Sequence, residues 1–131
     1  MKDFEPVVPA SSVSFAAGLH RCAGRVDVYE RILGRFLSSR LSEPADIQRA
    51  VKRADLKQAA RIAHCSISTA GTIGASALSE CARKLQRAID AGDTGRLPEL
   101  MEAYALQHAV VASDIRRYFA GEDCQSPGAT R

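Results

Sequence analysis

Hydrophobic residues recur every three or four positions along most of this chain, which is the spacing of one face of an α-helix. Four long stretches carry the pattern, at about residues 27–40, 55–74, 76–91 and 94–120, and two short ones lie at about 11–23 and 44–53. No stretch alternates with a period of two over the length of a strand. Because the loops between the long stretches are short, the pattern predicts an all-α fold, an antiparallel four-helix bundle with one or two short extra helices at its N-terminal side.

The apolar stripes define the expected core. The stripe of the first long helix consists of Val28, Ile32, Leu33, Phe36, Leu37 and Leu41. That of the last consists of Leu97, Leu100, Met101, Tyr104, Val111, Ile115 and Phe119. Residues suited to N-caps precede several helices, namely Ser11 or Ser12, Asp27, Asp55 and Ser76. Gly74 predicts a bend or a helix end. The expected domain organisation is a lead-in or linker (1–10), the helical bundle (11–120) and a disordered tail (121–131).

Composition narrows the function classes. The net charge of the 131-residue chain is only +3, and aromatic residues make up 5% with no Trp, which argues against a stacking-based nucleic-acid module. No apolar run reaches about 18 residues, so we expect no direct membrane contact and a cytoplasmic location. The four cysteines form no Cys-x-x-Cys pair, so we expect reduced thiols and no metal site. We also expect a monomer, with dimerisation through the last helix as an alternative.

One helical face in the 55–74 stretch carries candidate chemistry. Helical spacing places Lys57, Arg61, His64, Ser68 and Gly71 together, opposite a face of small and apolar residues. A surface histidine is most often without a role. Here the small neighbours leave the ring open, and two cations lie where an anion bound to the ring would be stabilised. His64 is therefore the candidate reactive residue.

An imidazole is a better-defined nucleophile when one ring nitrogen is held as a hydrogen-bond donor and the other presents its lone pair. The helix after Gly74 should run antiparallel to the one bearing His64, so a residue about as far beyond the turn comes alongside the ring. Gln86 is one candidate, and the spacing also allows Ala82 or Arg83.

The two other histidines are weaker candidates. His108 lies within the apolar stripe of the last helix, where a packed and hydrogen-bonded histidine is the favoured interpretation. His20 lies on a short helix without an acidic residue nearby, so we interpret it as a surface residue.

The stretch around His64 resembles the signature of histidine-containing phosphotransfer (HPt) domains, Ala-His-x-Leu-Lys-Gly-Ser/Ala-Ala-x-x-Leu/Ile-Gly-Ala. Here it reads Ala63-His64-Cys65-Ser66-Ile67-Ser68-Thr69-Ala70-Gly71-Thr72-Ile73-Gly74-Ala75. Further similarity lies in Gly18 to Gly24, Tyr29 to Leu37, Leu78 to Leu85 and Ala91 to Asp93. The resemblance covers roughly residues 15–119.

The resemblance implies a four-helix bundle with no ATP site, no cofactor and no hydrolytic activity. Its partners would be receiver domains, and the domain would be free-standing or the cytoplasmic C-terminal part of a hybrid sensor histidine kinase. His64 would accept a phosphoryl group from the aspartate of one receiver and pass it to another, with the receiver bringing the Mg²⁺. Gln86 falls where some members have a glutamine that orients the ring.

Two positions depart from the signature. The family's lysine three residues after the histidine is replaced by Ile67, and the following glycine by Ser68. Arg61 is the best substitute for the lysine as a stabiliser of the phosphoryl group, and Lys57 and Lys84 are weaker ones. Together with Gly71, Ile67 and Ser68 are candidate docking residues. The alternative hypothesis is a degenerate HPt-like module that binds a receiver with little or no phosphotransfer.

Overall fold

The computed structural model of the protein describes residues 13–121. The predicted lead-in and all of the predicted tail except Gly121 lie outside this range. Six α-helices make up the described part: α1 (Phe15–Arg21), α2 (Val26–Ser39), α3 (Glu43–Lys52), α4 (Leu56–Ile73), α5 (Ser76–Ala91) and α6 (Leu97–Ala120), with a 3-10 turn (Thr94–Arg96) before α6. Residues 13–121 contain no strand, so the predicted all-α fold is confirmed.

Helices α4, α5 and α6 form three sides of the bundle. Helices α2 and α3, which follow one another along the chain and both pack against α4 and α6, form the fourth side, and α1 is a short extra helix. The core between them is built from fully buried aromatic and branched side chains, among them Tyr29, Leu33, Phe36, Ile47, Ile73, Leu78, Leu85, Tyr104 and Ile115. Helix α4 has the smallest core side chains. Ala59, Ala63 and Ala70 are completely buried, which lets α5 and α3 pack closely against α4.

The C-terminus of α4 is the most constrained junction of the fold. Gly74 ends the helix in the left-handed region, at a φ of 92°, as the sequence predicted. The short turn through Ala75 then reverses the chain into α5. Helix α1 lies over this turn, where the Ser14 amide donates to the Gly74 carbonyl at 2.8 Å. The Tyr29 hydroxyl of α2 donates to the carbonyl of Ile73 at 2.8 Å, so three helices meet where α4 ends.

Three predicted N-caps are wrong. Ser11 and Ser12 lie outside the described residues, and the cap of α1, which begins at Phe15, is Ser14, whose Oγ accepts from the Ala17 amide at 3.2 Å. The N-caps of α2 and α5 are Arg25 and Ala75, so Asp27 and Ser76 lie within the first turns of their helices. The Asp55 cap of α4 is confirmed, since its carboxylate accepts from the Gln58 amide at 3.2 Å. Each error moves a helix start by only a few residues and leaves the face of the helix unchanged.

Two predicted core residues are exposed because they lie at or beyond helix ends. Leu41 follows the last residue of α2 and is 40% exposed, while Phe119 lies in the last turn of α6 and is 46% exposed. His108, in contrast, is 2% exposed and hydrogen-bonded, which confirms the sequence interpretation. No helix within residues 13–121 is long and apolar enough to cross a membrane.

Candidate functional site

His64 lies in the middle of α4 with its side chain exposed. Lys57, Arg61 and Ser68 are exposed on the same face, and Gly71 is partly exposed. Two residues from His64, on the opposite side of the helix, Ser66 is buried. The small residues of α4 pack into the core, and the imidazole on the opposite face is therefore exposed, as the helical spacing in the sequence predicted. Within residues 13–121, the His64 ring makes no hydrogen bond and is open to an incoming group.

The register between α4 and α5 is set by one hydrogen bond, in which the Ser79 hydroxyl donates to the Ile67 carbonyl at 3.1 Å. The two helices are antiparallel, so a step of three residues back from Ile67 matches a step of three residues forward from Ser79. His64 is therefore level with Ala82. Gln86 lies one turn further along α5, about 6 Å away along the axis. Because Cα–Cβ bonds tilt toward the N-terminus of each helix, the His64 and Gln86 side chains lean toward each other along the axis.

Gln86 is partly buried, and no hydrogen bond joins its side chain to the His64 ring in the described part of the chain. Its assignment as the residue that orients the ring therefore stays a prediction, supported by the register and the direction of the two side chains. Ala82 has no polar group to offer. Arg83 is exposed and lies within reach of Glu80, with 3.7 Å between Nε and Oε1.

The two cations on the His64 face keep their charge available. The Arg61 Nη1 donates to Oε1 of the Gln58 amide at 3.2 Å, which is a neutral acceptor. Lys57 forms no ion pair with a residue in 13–121. Neither cation is neutralised by a carboxylate of the described chain, so both contribute to a positive potential around the imidazole. Ile67, at the position of the family's lysine, is partly buried against the core and supplies no charge.

Open grooves flank the His64 face on both sides. Between α2 and α4 lies a groove of about 190 Å³ whose lining includes Arg35, Arg40 and Ser68. Between α1 and α5, over the end of α4, lies one of about 390 Å³ whose lining includes Arg21, Gly71 and Arg83. The sequence did not indicate Arg35 or Arg21 as residues near the site. Both belong to other helices, and no spacing within α4 signals them.

A buried polar network joins the core-facing side of α4 to α3 and α6. The carboxylate of Glu43, which is 5% exposed, lies 3.2 Å from Arg40 Nη1, 3.3 Å from His108 Nε2 and 3.5 Å from the Tyr104 hydroxyl. The same hydroxyl donates to the Ser66 Oγ of α4 at 2.7 Å. Burial, and then the neighbouring Glu43, raise the pKa of Tyr104, so its hydroxyl stays protonated. The network connects α3 and α6 to the helix that presents His64.

The described residues contain no cluster of three or more His, Cys, Asp or Glu side chains that could hold a metal ion. Cys22, Cys65 and Cys81 are free thiols, and burial raises the pKa of Cys81 above its ordinary value.

Comparison with known proteins agrees with this geometry. The family model of the Hpt domain matches residues 31–116, which is more than half of the chain and includes His64 and Gln86. No curated protein and no solved structure matches the chain. His64 is exposed in the middle of a bundle helix, and the matched range covers α3, α4 and α5 completely and α2 and α6 in part. These observations lead to one assignment. The chain belongs to the Hpt domain family.

Proposed function

We propose that this Hpt domain is a phosphorelay intermediate that accepts a phosphoryl group on His64 from the aspartate of one receiver domain and passes it to another. Membership of the family places the chain in the phosphotransfer of two-component signalling, where Hpt domains interact with receiver domains. The observation that carries the specific proposal is the exposed His64 ring, which has no hydrogen-bond partner within residues 13–121.

The chemistry is a transfer between two nucleophiles. The lone pair of one ring nitrogen of His64 attacks the phosphorus of the aspartyl phosphate, a nitrogen–phosphorus bond forms, and the phosphorus–oxygen bond to the aspartate breaks. The aspartate leaves as a carboxylate with the electron pair. The proton on the other ring nitrogen stays in place, held by the side-chain oxygen of Gln86 in this proposal. Transfer to the second receiver is the same step in reverse.

The protein's contribution to this step is position and charge. Helix α4 holds the ring at the surface, and Arg61 with Lys57 stabilises the negative charge on the moving phosphoryl group. Neither cation occupies the position of the family's lysine. A charge-assisted contact of this kind is worth about 1–3 kcal/mol, or about tenfold to a hundredfold in rate. We therefore propose a competent carrier that transfers more slowly than one with lysine at position 67.

A second candidate function is favoured by the same two departures. With Ile67 and Ser68 in place of lysine and glycine, the face could bind a receiver without turning over phosphate. Ile67 packs partly against the core, while Ser68 is exposed beside the ring. The serine adds only a hydroxymethyl group, which narrows access to the ring without closing it.

The double change Ile67→Lys and Ser68→Gly separates the two functions. Label is transferred from a phosphorylated receiver to the wild type, to the double variant and to His64→Gln, and receiver affinity is measured in parallel. For a competent carrier we expect label on the wild type, none on His64→Gln, and a gain of about tenfold to a hundredfold in the double variant. A wild type that binds the receiver but takes no label, beside a double variant that does, establishes the binding-only module instead.

A further inference from the structure

The groove between α2 and α4 brings a cation from outside the signature to the His64 face. Helix α2 runs antiparallel to α4, with Tyr29 near its start bonded to Ile73 at the end of α4. Further along α2, Arg35 lines the same groove as Ser68. Ser68 lies one turn after His64 on the same face, so the groove begins one turn from the proposed phospho-acceptor.

Arg35 is the free cation of this groove. The other arginine that lines it, Arg40, donates to the buried carboxylate of Glu43 at 3.2 Å. Arg35 is exposed and makes no ion pair with any residue in 13–121. Its charge is therefore available to a group that enters the groove from outside.

Three hydroxyl groups line the groove, and two of them already donate to the backbone of α4. Thr69 and Thr72 donate their hydroxyl protons to the backbone carbonyls of Cys65 and Ser68, both at 3.0 Å. The Ser68 hydroxyl has no hydrogen-bond partner among the described residues. Besides the remaining N–H groups of Arg40, which is already paired with Glu43, the uncommitted donors of the groove are the Arg35 guanidinium and the Ser68 hydroxyl, a pair suited to a carboxylate.

We propose that Arg35 is a docking residue of α2 that binds a surface carboxylate of the partner receiver. This inference rests on the proposed function. A partner that donates from an aspartate and holds Mg²⁺ through carboxylate oxygens presents an anionic surface around its reactive group. Because the groove begins a full turn from His64, Arg35 acts on the association of the two proteins and not on the reacting atoms.

Arg31 provides a matched control. It is an exposed arginine one turn before Arg35 on α2, and it does not line the groove. Transfer kinetics and equilibrium affinity for the receiver are measured for Arg35→Gln and Arg31→Gln, with thermal unfolding to show that both variants fold. We expect Arg35→Gln to raise KM and Kd by about threefold to tenfold with kcat unchanged, and Arg31→Gln to change them by less than twofold. The difference should shrink at high salt, since exposed charges are screened.

Equal effects of Arg35→Gln and Arg31→Gln, or a fall in kcat without a change in KM and Kd, would overturn the docking role. The affinity measurement separates this result from failure of the proposed function. If the wild type takes no label, an affinity loss confined to Arg35→Gln still supports docking, and unchanged affinity refutes it.

Discussion

Replacing Glu43 by alanine should lower the free energy of unfolding by about 3–5 kcal/mol, which is the largest stability effect we expect from one polar residue. The carboxylate is almost completely buried, and the side chains of Arg40, His108 and Tyr104 surround it. Removing it leaves the buried His108 Nε2 without a hydrogen-bond partner among residues 13–121 and deletes the polar contacts between α3 and α6, while Tyr104 keeps its bond to Ser66. Urea unfolding followed by circular dichroism measures the loss.

Glu80→Ala is the matched control, because Glu80 also contacts an arginine, with 3.7 Å between the charged groups, but on the exposed surface of α5. It should cost no more than about 0.5 kcal/mol. Glu43→Gln keeps the shape and an acceptor, so its loss should be about 1–2 kcal/mol. Equal losses for Glu43→Ala and Glu80→Ala would show that the buried network contributes nothing to stability.

Gly74→Ala should destabilise the fold by about 3 kcal/mol. The residue has a φ of 92°, where a side chain costs about 1–2 kcal/mol. A Cβ built at this position would lie 2.2 Å from the backbone oxygen of Ser14, so the start of α1 must move as well. Such overpacking against backbone adds about 1–3 kcal/mol.

Gly92→Ala is the control that separates the conformational cost of a positive φ from the cost of overpacking against Ser14. It ends α5 with a φ of 72°, and a Cβ there would meet nothing within 4 Å. Gly92→Ala should therefore show only the conformational cost of about 1–2 kcal/mol in the same unfolding experiment. If both variants lose the same stability, the contact between Gly74 and Ser14 carries no weight and the account of this junction is wrong.

The sequence predicted the parts of the fold that depend on one helix at a time. The period of apolar residues located all six helices, turned His64 outward and placed His108 in the core. Gly74 was predicted to end α4, yet the contact with Ser14 was not foreseeable, because it depends on how α1 packs across the turn. Capping was less predictable, since the caps of α2 and α5 are Arg25 and Ala75 and offer no favourable side chain.

Features that depend on the packing of several helices could not be predicted from the sequence. Glu43 stood in a short Ser-Glu-Pro break, and nothing local indicates a buried carboxylate. Its burial requires Arg40, Tyr104 and His108, which only the folded chain assembles. Arg35 was missed for the same reason, since the lateral position of α2 beside α4 leaves no periodic signal. The role of Gln86 was inferred from spacing and family resemblance, and it stays a prediction.

The central claim is that His64 carries the phosphoryl group, and locating that group tests it most directly. The wild type is incubated with a phosphorylated receiver, and the modified peptide is identified by mass spectrometry under alkaline conditions, where a phosphoryl group on a histidine nitrogen survives. We predict one modification, on His64, which is lost in acid and returned to unphosphorylated receiver. A wild type that stays unmodified, or one in which another residue is modified, would contradict the account.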